Sequence, residues 1–130
     1  MLRTTIKCLG VRVSGRTLMS ENPYGYAAQR LTTTIACLAT HPGDARRRII
    51  AAAPIFNVIK KEDLPPHLRE KWVWVIDEAT KFGPILKNNG EALYSSVENT
   101  MYKRKNSTAA KLAKAIYEIY WEISSNCRYN

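Results

Sequence analysis

Residues 65–83 read PPHLREKWVWVIDEATKFG, and their spacing decides the fold class. Leu68, Trp72, Val75, Ile76 and Ala79 follow one another at steps of four, three, one and three, the repeat that lines one face of an α-helix. Pro65 or Pro66 opens this helix, since a first-turn proline gives up an amide that has no intrahelical acceptor. Asp63 is placed to cap it, and Gly83-Pro84 stops it. Trp74 falls beside the stripe, so a neighbouring segment covers it or it faces solvent.

The same repeat recurs on both sides. In residues 107–125, STAAKLAKAIYEIYWEISS, the positions Leu112, Ile116, Ile119, Tyr120 and Ile123 form a second stripe, with Asn106 or Ser107 as cap. Lys114 and Glu118 stand one turn apart on its polar side and are expected to pair. Residues 44–59, DARRRIIAAAPIFNVI, place Ala45, Ile49, Ala52, Ala53 and Phe56 inward behind the capping Asp44. Pro54 predicts a kink or break there, because it removes a donor and crowds the preceding turn. Upstream, Tyr24, Ala27, Ala28, Leu31, Ile35, Leu38 and Ala39 define another helix. Ser20 or Asn22 is its expected cap, Pro23 lies in its first turn, and His41-Pro42-Gly43 ends it. Thr32, Thr33 and Thr34 weaken its intrinsic propensity, so this helix depends on packing. A short helix from about Ser95 to Lys103 carries Val97 and Met101 inward, and Asn88-Asn89-Gly90 marks a turn. The expected fold is all-α, a compact irregular bundle of four to five helices joined by short loops.

Residues 1–18 have a different texture. They carry four basic residues, no acid and two glycines, with no helical period. Three readings fit: sequence upstream of a natural start at Met19, an Arg-rich targeting segment, or a basic arm. We expect a single helical domain over 19–130, preceded by a leader at 1–18. The net charge of +9 comes from 20 basic and 11 acidic residues, so without the leader sixteen stand against eleven and the excess is +5. No apolar run approaches the roughly 20 residues that span a bilayer. Cys8, Cys37 and Cys127 have neither disulfide-framework nor zinc spacing, which points to a reducing, cytoplasmic setting.

Catalytic chemistry has little to stand on. His41 and His67 are the only histidines, and neither has a carboxylate or cysteine at metal-ligand spacing. Neither follows an arginine by about one helical turn, the pair that helical ribonucleases of the HEPN class use on RNA. No nucleophile elbow, phosphate loop, dinucleotide fingerprint or zinc-protease motif occurs. Glu70, Asp77 and Glu78 could act as acid and base, but Arg69, Lys71 and Lys81 surround them as on a solvated helix face. No catalytic residue, cofactor or metal is assigned, and an enzyme ranks third among the readings.

Two features remain. Basic runs occur at Arg46, Arg47 and Arg48, at Lys60-Lys61, and at Lys103, Arg104 and Lys105 continuing to Lys111 and Lys114. The run at 103–105 precedes a helix N-terminus, where backbone donors favour anions, and Tyr94 and Tyr102 stand near enough in sequence to stack on bases. That pattern fits a nucleic-acid-binding domain, although three charges in a row are often only a solvated turn. The competing feature is aromatic. Trp74, Tyr117 and Trp121 lie off the inward stripes, as on protein-binding surfaces, unless a wide core takes them up.

The segments THPGDARRRIIAAA, DLPPHLREKWVWVIDEATKFGP and SVENTMYKRKNSTAAKLAKAIYEIYWEIS together resemble a family of small uncharacterised all-helical bacterial proteins, over about residues 20–125. The resemblance implies a helical cytosolic protein, of the accessory or mobile-element kind, without an assigned activity or site residues. The first expectation is therefore a protein-interaction module, homodimeric or regulating a larger partner, and the second is nucleic-acid binding.

Overall fold

The computed structural model describes residues 23–129, with side chains described as far as residue 125. The leader, the proposed start at Met19, the caps Ser20 and Asn22, and the side chains of Cys8 and Cys127 lie outside the described residues. Among the described residues five α-helices carry the fold: α1 (Gly25–Thr40), α2 (Ala45–Phe56), α3 (Pro66–Ala79), α4 (Ser96–Tyr102) and α5 (Asn106–Tyr129). A 3-10 turn, Lys61–Asp63, precedes α3. Between α3 and α4 lies a small antiparallel hairpin, β1 (Ile85–Leu86) and β2 (Ala92–Tyr94). The expected turn at Asn88-Asn89-Gly90 joins its strands, with Gly90 at φ +90°. The bundle is thus mostly helical, and the hairpin is the addition that spacing did not foretell.

The inward stripes meet in one core. Leu31 of α1, Ile49 and Phe56 of α2, Trp72 and Val75 of α3, Val97 and Met101 of α4, and Leu112, Ile116 and Ile119 of α5 are buried together. α5 is the central element, packing against α1, α2 and α3, while α4 closes over α2 and α3. Trp72 meets Phe56 edge to face at 6.2 Å, and its Nε1 donates to the Ile59 carbonyl at 3.0 Å. The indole therefore buries its large apolar surface without stranding its one polar atom.

Several helix ends differ from expectation. Asp63 does not cap α3. Its carboxylate accepts from the Lys60 amide at 2.9 Å, closing the 3-10 turn, and α3 begins at Pro66 with no side-chain cap. Asn106 is the first residue of α5, and its Oδ1 accepts from the Ala45 amide at 2.8 Å, so it serves the first turn of α2. Asp44 caps α2 as expected, accepting from the Arg47 amide at 3.1 Å. The break expected at Pro54 does not occur. Pro54 sits in the last turn of α2, so little helix remains to disturb, and the Asn57 amide still reaches the Ala53 carbonyl at 2.8 Å. Arg30 of α1 donates to the Ile55 and Pro54 carbonyls at 3.2 and 3.4 Å, satisfying acceptors that the helix end leaves open.

The threonines of α1 are accommodated by bonding backward. Thr32, Thr33, Thr34 and Thr40 each donate to the carbonyl four residues earlier, which lets a hydroxyl sit in a helix without competing for another fold. Thr34 does so while fully buried. No helix among the described residues is long and apolar enough to cross a membrane.

Candidate interaction surface

Helices α3 and α5 run antiparallel, and two side-chain contacts fix their register. Lys71 pairs with Glu118, and His67 approaches Glu122 at 3.5 Å. A step of one turn along α3 thus matches one turn backward along α5. Glu118 takes Lys71 as its partner, and the expected bond to Lys114 one turn away does not form. The Lys71 hydrogen bond, helped by the charges of Lys71 and Lys114, holds the Glu118 carboxyl below its ordinary range.

Beside this seam stand the aromatics that spacing set off the stripes. Trp74 is 46% exposed, Tyr117 50% and Trp121 49%, whereas Trp72, two residues from Trp74, is 1% exposed. Trp74 lies on α3 between Lys71 and Glu78, on the side turned toward α5. Tyr117 and Trp121 are one turn apart on the outer side of α5, and Tyr117 also meets Tyr120 at 6.1 Å. Trp74, Tyr117 and Trp121 are thus all half-exposed, on two helices that pack against each other.

The basic residues divide differently. Arg46 donates through Nε and Nη2 to Asp44 and through Nη1 to the Arg104 carbonyl at 3.2 Å. Arg48 donates to the carbonyls of Gly43 and Leu38 at 3.0 and 3.3 Å, tying α2 to the end of α1. Arg104 reaches Glu78 at 3.1 Å and lies 5.4 Å from the Phe82 ring centre. These three guanidiniums hold helix ends together. Arg47, Lys103, Lys105, Lys111 and Lys114 are exposed, so the predicted basic surface is reduced to them. The Arg47 amide and the Arg46 side chain keep the Asp44 carboxyl below its ordinary range.

A second exposed cluster lies at the hairpin. Tyr94 and Tyr102 stack edge to face at 5.3 Å, and Lys103 stands 5.7 Å from the ring centre of Phe82. α4 holds this region. Asn99, itself buried, donates from Nδ2 to the Phe82 and Gly83 carbonyls at 3.3 and 2.9 Å, and Thr100 Oγ1 accepts from the Phe82 amide at 3.0 Å. Phe82 and Asn99 carried no sequence signal. Phe82 reads as part of the turn that stops α3, and Asn99 falls in a short helix whose partners lie sixteen and seventeen residues away.

Among the described residues no three His, Cys, Asp or Glu side chains gather closely enough to hold a metal ion. Cys37 is a free, half-buried thiol. His41 contacts its neighbour's carbonyl at 2.8 Å. The exposed large side chains are thus aromatic residues on α3 and α5, and an aromatic-basic cluster at the hairpin. Comparisons with protein-family models, with curated proteins and with solved structures give no match.

Proposed function

We propose that this domain is a protein-interaction module that docks through the α3–α5 face. The observation that carries the reading is the half-exposure of Trp74, Tyr117 and Trp121 on adjacent helices while Trp72 is fully covered. Large aromatic side chains displayed on rigid helices supply contact area at little entropic cost, which is why they anchor interfaces. The module acts in the cytosol, in keeping with three cysteines at no disulfide spacing. A regulatory or inhibitory role toward whatever docks there suits a domain built around recognition surface.

A photoreactive residue placed at Tyr117 in the full chain tests the reading in cells. A discrete cross-linked adduct is expected, and it should vanish when Trp74→Ala and Trp121→Ala are added. Absence of any adduct from the well-folded protein counts against a docking face.

One observation favours a second reading, nucleic-acid binding at the hairpin. The exposed Tyr94–Tyr102 pair lies beside Lys103, and bases stack on exposed aromatics between cationic side chains. Lys105, Lys111 and Lys114 would then extend the contact along α5. Binding of single-stranded RNA or DNA that weakens steeply with salt and is lost in Tyr102→Ala with Lys103→Ala supports it. No binding at low salt sinks it.

A further inference from the structure

The charges around the aromatic face are divided between its two helices. On α3, Glu70 and Asp77 are exposed two turns apart, on either side of Trp74. On α5, Lys111 and Lys114 are exposed one turn apart, with Tyr117 one turn and Trp121 two turns beyond Lys114. None of these four residues forms an ion pair among the described residues; the pairs of this seam are Lys71–Glu118, His67–Glu122 and Arg104–Glu78. One helix therefore contributes a free acidic edge and the other a free basic edge, with aromatics between them.

The register makes this division self-complementary. With Lys71 level with Glu118 and His67 level with Glu122, continuing along the two helices brings Trp74 level with about Lys114 and Asp77 with about Lys111. A two-fold axis parallel to the helices, lying across this face, would set α3 of one copy over α5 of the other at the same height. Asp77 would then meet Lys111 of the second copy, and Trp74 would meet Lys114, whose ammonium can lie over the indole ring. Each contact is made twice, as an isologous interface requires. The opposite arrangement, α3 on α3, would set acid against acid and is disfavoured.

We infer that the occupant of the α3–α5 face is a second copy of this chain, docked through a two-fold contact in which Asp77 and Trp74 of α3 oppose Lys111 and Lys114 of α5. This inference rests on the reading of that face as a docking surface and names its partner. Two helices about 10 Å apart, over the roughly 21 Å length of α3, present only a small face, at the low end of specific interfaces. The dimer is accordingly reversible and set by concentration. The aromatics supply the contact, and the exposed charges fix which helix meets which.

Sedimentation equilibrium of the full chain over roughly 1 to 300 μM tests this, since weak specific contacts populate that range. The wild type is expected to move from monomer to twice the monomer mass. Asp77→Lys, and separately Lys111→Glu, should each weaken association about tenfold or more, because symmetry counts every reversal twice. An equimolar mixture of the two variants should recover dimer of wild-type strength, as a heterodimer. Should a reversed variant fail to fold by circular dichroism, Asp77→Asn and Lys111→Gln replace the reversals, with a smaller loss of the same sign. A wild type that stays monomeric overturns the inference, as does a mixture no stronger than its parts. A monomeric wild type that still cross-links through position 117 to a different protein overturns self-association alone. A monomer with no adduct of any kind overturns the docking reading as well.

Discussion

Arg46 donates a hydrogen bond to the backbone carbonyl of Arg104 at 3.2 Å, so two members of separate basic runs are bonded to each other. The contact ties the first turn of α2 to the residues that lead into α5. It also sits beside the bond from the Ala45 amide to Asn106, so this corner is closed twice.

That corner should be visible in stability. Arg46→Ala and Arg104→Ala are each expected to destabilise the domain by about 1–2 kcal/mol, the worth of charge-assisted bonds that are partly shielded from water. Arg47→Ala, whose side chain is exposed, should stay within about 0.5 kcal/mol of the wild type. Urea denaturation of the three variants checks the contrast, and equal effects would count against it.

Asn99 is the next position where one side chain holds a segment. Asn99→Ala leaves the Phe82 and Gly83 carbonyls without their side-chain donor. A loss of about 1–3 kcal/mol is expected, with faster amide exchange through the hairpin than in α1. Hydrogen exchange by mass spectrometry reads both.

Trp72→Phe keeps most of the ring but removes the bond from Nε1 to the Ile59 carbonyl. The cost should be about 1–3 kcal/mol, from a stranded acceptor and a partly empty site. The same change at exposed Trp74 should cost almost nothing. Thermal melts of the pair decide it.

Acid should weaken the domain in a definite window. Asp44 and Glu118 both have folded pKa values below their ordinary ones. A depressed carboxyl contributes stability above its unfolded value, and that contribution is lost as pH falls through the folded value. Melting temperature should therefore hold from pH 7 to about 5 and decline below about 4, where such carboxyls begin to protonate. Asp44→Asn should flatten part of that decline while lowering the plateau. A melting temperature that is level down to pH 2.5 would speak against both pairs.

The five helices were legible because their burial is periodic. Leu68, Trp72, Val75 and Ala79, and Leu112, Ile116, Ile119 and Ile123, recur at helical spacing and are buried. The hairpin was not legible, because Ala92, Leu93 and Tyr94 are all exposed and carry no inside–outside alternation. Caps were read only where the partner is local. Asp44 serves its own helix, whereas Asn106 serves a residue 61 positions away, and no spacing rule reaches that far. The division of arginines was hidden for the same reason. Arg46 and Arg47 are neighbours of one type, and only the fold decides that one is bonded and the other solvated. The off-stripe aromatics Trp74 and Trp121 were legible as such, but periodicity does not say that their two helices pack against each other.

The central claim is that Trp74, Tyr117 and Trp121 are displayed for docking and are not needed for folding. Urea denaturation of the Trp74→Ala, Tyr117→Ala, Trp121→Ala variant, at a concentration low enough to keep the chain monomeric, tests this most directly. The expected loss relative to the wild type is below about 1 kcal/mol, since alanine has the higher helix propensity and offsets part of the lost packing. A loss of about 3 kcal/mol or more, of the size that removing a core aromatic produces, would contradict the claim and make these rings part of the core.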